Sequence, residues 1–181
     1  MTKRRLTVLT AFFLSITAAS WAQAPAALVQ FDGLPLNAAE ADFTRSRPEA
    51  QLLKQQRDDK VTRYFLYQPK SLQAFGLPVV TAARGFETGR GCAIGLGLGE
   101  LTPVQGQRLQ AELNQAFPDK PSSRTDASGN QWTYFSSTEL FVSMLVAPAA
   151  AEGGKQATSL SWSSRRCNAD LAAVRWQTRP R

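Results

Sequence analysis

The chain has 181 residues, of which 43% are hydrophobic and 19% charged, with a formal net charge of +7, two cysteines and no histidine. The lack of histidine excludes Ser-His-Asp and Cys-His nucleophile systems and the common His-ligated zinc sites. The length suits one ordinary domain that can bury a core without metals or many staples.

Three basic residues, Lys3, Arg4 and Arg5, precede an uncharged apolar run over residues 6–19, the order of a secretory signal peptide. As a helix that run would rise about 21 Å, short of the roughly 30 Å hydrocarbon core, so it is not read as a membrane span. Small residues at Ser20, Ala22 and Ala24 offer cleavage after Ala22 or Ala24. Ala22 is favoured, because the other cut would leave Pro25 at the new terminus. The expectation is a signal over residues 1–22 and a single soluble α+β domain over 23–181, delivered to the periplasm or secreted. Loss of Lys3, Arg4 and Arg5 takes the formal charge from +7 to +4.

Asn37 and Glu40 have the spacing of a capping box, and Pro48 ends the helix they predict. A second short helical piece is expected over 48–56, with a turn at Asp58, Asp59 and Lys60. Residues 61–68, β-branched and aromatic, predict a strand, and 77–82 another; Gly85, Gly89 and Gly91 mark a loop. Over 92–99 the alternation is regular: Cys92, Ile94, Leu96 and Leu98 share one side, and Ala93, Gly95, Gly97 and Gly99 the other. Thr102, Pro103 and Gln105 open the best helix, with Leu109, Leu113, Ala116 and Phe117 on one side and Pro118 as its stop. A polar loop to Gln131, a long strand over 132–147 bent near Ser137, a mobile hairpin loop over 148–156 and a last strand to Cys167 follow. Asn168 can cap a terminal helix through Trp176.

The fold expected is therefore α+β: an antiparallel sheet against one long and two or three short helices. Helix, aromatic strand and cysteine-bearing strand recur, which raises an internal duplication.

In an exported chain the even cysteine count predicts a Cys92–Cys167 disulfide, and closing a loop of about 75 residues would contribute roughly 4 kcal/mol in the chain-entropy model. No catalytic constellation, metal site or cofactor motif is found. The glycines at 95, 97 and 99 do not have dinucleotide-loop spacing, and Asp126 to Asn130 lacks the downstream Glu of a calcium loop and reads as a turn. The aromatics Tyr64, Tyr67, Trp132 and Tyr134, with Arg165, Arg166, Arg175 and Arg179, are the candidate partner-binding residues. The first functional expectation is a periplasmic protein-binding domain, an inhibitor or immunity-type protein that occludes an envelope-acting enzyme, with another envelope or secreted protein as partner and no nucleic acid. The alternative is an envelope accessory protein that binds anionic lipid or glycan; a hydrolase without histidine ranks third.

Overall fold

The computed structural model describes residue 28 and residues 30–57, 60–117 and 119–167, with 54–57 and 60–62 described as backbone only. The signal segment, the terminal helix expected over 168–176, Arg175 and Arg179 lie outside these. A two-residue hairpin of β1 (Gln30–Phe31) and β2 (Leu34–Pro35) leads into α1 (Glu40–Ser46). Then come β3 (Gln51–Arg57) and β4 (Lys60–Tyr67), a small hairpin of β5 (Gln73–Ala74) and β6 (Leu77–Pro78), and β7 (Thr81–Glu87) and β8 (Arg90–Leu101). After α2 (Pro103–Ala116) the chain adds β9 (Ser122–Thr125), β10 (Gln131–Ser136), β11 (Leu140–Val146) and β12 (Gln156–Ser164).

Eight of these strands form one antiparallel sheet in the order β3-β4-β7-β8-β12-β11-β10-β9. Each half therefore runs helix first and four-strand meander second, and the halves meet at β8 and β12. Mostly antiparallel sheet with two helices among the described residues is the coarse α+β architecture expected. No helix among the described residues is long and apolar enough to cross a membrane.

Several local expectations are corrected by tertiary pairing. The helix expected over 48–56 is strand β3, because Gln51 to Arg57 pair residue for residue with β4; ladder pairing outweighs the good helix propensity of Gln, Leu and Lys. Asn37 does not cap α1. The cap is Ala39, without a side-chain hydrogen bond, while the Glu40 amide donates to the Gly89 carbonyl and the Glu40 carboxylate pairs with Arg63 at 3.2 Å. Gly85 and Gly91 lie in strands, and only Thr88 and Gly89, both at positive φ, make the β7–β8 turn. The stretch expected as one bent strand is the β10–β11 hairpin, turned at Ser137, whose amide donates to the Leu140 carbonyl at 2.9 Å. The polar loop before it contains β9. The capping box on α2 stands as read: the Gln105 amide donates to the Thr102 hydroxyl, and the Gln105 side chain accepts from the Thr102 amide.

One face of the sheet, here called the inner face, carries the main core. Ile94, Leu96 and Leu98 of β8, Leu160 and Trp162 of β12 and Phe135, Val142 and Met144 beyond them pack with Phe43 of α1, Leu109 and Leu113 of α2 and Phe117 just past it. Each large side chain so buried contributes about 1.5–3 kcal/mol of transfer free energy. The Trp162 indole reaches across this core and donates to the Leu28 carbonyl at 2.7 Å, and Phe31 meets its ring edge-on.

Cys92 leaves the side predicted for it. The β7–β8 register shifts from Phe86 opposite Gly91 to Gly85 opposite Ala93, so Cys92 is the extra residue of a bulge. It packs with Tyr64 and Ala93 on the outer face and is joined there to Cys167, with 5.4 Å between the Cα atoms. The predicted pairing is confirmed.

Two stability measurements check this arrangement. A Cβ on Gly91 would overlap the Leu36 carbonyl oxygen, whereas one on Gly106 in α2 meets nothing within 4 Å. Gly91→Ala should cost about 2 kcal/mol or more in urea denaturation, and Gly106→Ala should gain up to about 1 kcal/mol. Equal midpoints would show that the segment before α1 does not seat on β8. Reducing the disulfide should lower stability by about 2–5 kcal/mol in the same assay.

Candidate functional site

On β10 the alternation sends Thr133 and Phe135 inward, both buried, and Trp132 and Tyr134 outward, both half-buried. On β11 Leu140, Val142 and Met144 point inward, while Phe141 points outward and is 43% exposed. Register places Arg124 of β9 opposite Trp132, and Ser136 opposite Phe141. Cross-strand neighbours on one face touch, so these side chains form a continuous row. Trp132 and Tyr134 stack with centroids 6.2 Å apart and planes 7° apart; Tyr134 and Phe141 follow at 5.7 Å and 25°. The exposed Arg124 guanidinium lies 5.8 Å from the Trp132 ring centre and 5.5 Å from that of Tyr134.

The row is held from both ends by turns. Asp126 opens the β9–β10 turn and accepts from the amides of Ser128 at 2.9 Å and Asn130 at 3.0 Å, from the Asn130 side chain at 3.0 Å, and from the Trp132 indole at 3.0 Å. The indole bond, then those from Asn130 and Ser128, pull its carboxyl down to about 2. At the other end Arg165 donates from its side chain to the Ser137 carbonyl at 2.6 Å and from its amide to that of Glu139 at 2.9 Å. That places the exposed Arg165 and Arg166 beside the turn that leads into Phe141.

The remaining candidates divide. Tyr64 is 2% exposed, its ring set against Gly85, where a Cβ would stand 3.0 Å from it, and Tyr67 is 5% exposed. Neither offers a partner a surface, because Gly85 leaves room for one ring and the core takes the other. The Tyr67 hydroxyl donates to Asp32 at 2.9 Å, and burial, reinforced by that carboxylate, pushes its pKa well above the usual tyrosine range. The structure brings together Trp132 and Tyr134, with Arg165 and Arg166 at the end of the row.

Sequence reasoning missed Arg124, Phe141 and Arg84. Phe141 was legible as an apolar residue out of phase with Leu140, Val142 and Met144; reading one long strand hid the phase. Arg84 sits at core parity between Ala82 and Phe86 and is 2% exposed, with its guanidinium 5.9 Å from the Phe43 ring and 6.0 Å from that of Phe86. One terminal nitrogen donates to the Pro35 carbonyl, and Nε is buried without a hydrogen-bond partner. Burial lowers its pKa, opposed by the negative charge of Asp32. Asp32 itself takes Arg47 (Nε at 2.7 Å) and Tyr67, so this polar cluster ties the β1–β2 turn to the end of α1 and to β4.

A cavity of about 540 Å³ lies beside it, lined by Asp32, Arg47, Glu49, Gln68, Lys70 and Leu72. Its best-placed acid and base are engaged with each other. The Glu87 carboxylate lies within 4.8 Å of both disulfide sulfurs, a spacing metal ligands could share, but sulfur bonded to sulfur offers no thiolate. The aromatic row, by contrast, offers apolar area, ring edges and guanidinium donors, the means of noncovalent recognition. Comparison with protein-family models, with curated proteins and with solved structures returned no match.

The Asp126 carboxyl is depressed, so its ionised form is the one the fold favours. The tie to Trp132 should be complete above the ordinary carboxylate range near pH 4 and be lost as pH falls through about 2. The Trp132 indole proton resonance should titrate with that midpoint by NMR, and Asp126→Asn should abolish the titration.

Proposed function

We propose that this is an exported periplasmic protein-binding domain, an inhibitor or immunity-type protein that occludes an envelope-acting enzyme. The carrying observation is the stacked row of Trp132, Tyr134 and Phe141, part-exposed on an eight-stranded sheet and flanked by Arg124 and Arg165. Tyrosine and tryptophan bury large area at small entropy cost, and with arginine they dominate the energetics of protein interfaces. A row fixed by ladder register and turn hydrogen bonds is preorganised, so little ordering is left to oppose binding. The disulfide suits an oxidising, exported location. In the same reading, the shared order of helix and meander in the two halves reflects an internal duplication whose second copy has acquired the aromatic row.

A photoreactive phenylalanine analogue at position 141 tests this in the envelope of the producing cell. Irradiation should give one protein adduct of defined mass, absent when the analogue replaces the equally apolar and 74% exposed Val104 on α2. The trapped protein should be an enzyme whose activity falls when the purified domain is added. Adducts that are the same from both positions, or none to protein at all, would remove the reading.

A further inference from the structure

We infer that the segment recognised by this row is an acidic stretch of protein, bearing carboxylates beside one aromatic or aliphatic side chain. This rests on the protein-binding reading above and names the chemistry of its partner. Three observations lead to it. First, the rings spend faces on one another: the planes of Trp132 and Tyr134 differ by 7°, those of Tyr134 and Phe141 by 25°. A sugar ring stacks on an open aromatic face, whereas a row stacked on itself presents ring edges, where the quadrupole is positive and carboxylate oxygens are favoured.

Second, cations flank the row, one alongside it and others at its Phe141 end. Arg124 lies over Trp132 and Tyr134, and exposed Arg165 and Arg166 sit at the turn leading to Phe141. Planar guanidinium groups pair with carboxylates through two parallel hydrogen bonds. Of the acids nearby, Asp126 keeps its charge but turns both oxygens to three backbone or amide donors and the Trp132 indole, Glu139 is exposed in the β10–β11 turn, and Glu87 lies beside the disulfide. Third, Phe141 is 43% exposed and pure hydrocarbon, and it follows Tyr134 in the row, on the side of the Arg165 turn. It asks for one apolar side chain within an acidic stretch. A lipid surface would instead call for several inserting side chains.

The test compares four immobilised probes at two salt concentrations: poly-L-glutamate, a random glutamate-tyrosine copolymer, polygalacturonate, and phosphatidylglycerol vesicles. The wild-type chain should bind the copolymer most tightly. Phe141→Ala should weaken the copolymer by roughly fivefold or more, to the level of poly-L-glutamate, and leave the latter unchanged. Arg124→Ala should weaken both polypeptides and flatten their salt dependence. Both side chains are on the surface, and unchanged urea midpoints confirm that the variants fold. The inference is overturned if polygalacturonate or the vesicles bind as tightly as the copolymer, or if Phe141→Ala leaves copolymer binding intact. Failure here alongside a protein adduct at position 141 removes the acidic partner and keeps the protein-binding reading; failure with no adduct removes both.

Discussion

The two meanders of this protein are joined in the sheet through a single strand pair, β8 against β12. Every other feature has to accommodate that seam. Both strands are central, so each must bury an apolar side and tolerate close neighbours on the other. β8 does so with Ile94, Leu96 and Leu98 inward and with Ala93, Gly95 and Gly97 outward; β12 answers with Leu160 and Trp162 inward and Ser159, Ser161 and Ser163 outward. Both ladders of β8 also carry a register shift, at Gly85/Phe86 and at Thr158/Ser159, which re-aims side chains at the cost of one unpaired residue. The disulfide spans the same seam, because antiparallel pairing sets the start of β8 beside the end of β12.

On the inner face the seam is closed by segments distant in sequence. Leu28 accepts the Trp162 indole bond, and Phe31 covers that ring. The buried Arg84 is part of the same closure. A guanidinium in an apolar core is expensive; here one nitrogen bonds the Pro35 carbonyl while Nε has no hydrogen-bond partner, and the group lies against Phe43 and Phe86 and feels the carboxylate of Asp32. Removing the segment before α1 would strand that charge. The arrangement thus makes docking of α1 and the β1–β2 hairpin cooperative with completion of the first meander.

The outer face separates stability from recognition. At its centre small residues such as Ser143 and Ser159 are buried, and the Ser143 and Ser161 hydroxyls bond each other at 2.7 Å. Toward β9 the side chains become large, aromatic and part-exposed. A site near a sheet edge but built on ladder-paired strands keeps the rigidity of the core without being covered by it. Its two turns do the aiming, Asp126 through the Trp132 indole and Ser137 through Arg165.

The sequence by itself determined what depends on neighbours along the chain. The capping box of α2, the strand character of 61–68, the alternation of Ile94 and Leu96 against Gly95 and Gly97, and the turn at Asp126 all follow from local geometry and hold. The Cys92–Cys167 pairing was also within reach, since with two cysteines there is one way to join them. Tertiary structure alone decided what depends on a distant partner. Residues 51–57 carry good helix formers and became strand because β4 offered a full ladder. Tyr64 and Trp132 are alike as sequence, each an aromatic on the outward phase of its strand. One is buried because it faces Gly85 and the disulfide, and the other stays part-exposed because its neighbours are Arg124, near the edge of the sheet, and Tyr134. Exposure is set by what packs opposite a side chain, and that is a property of sheet order rather than of any local pattern.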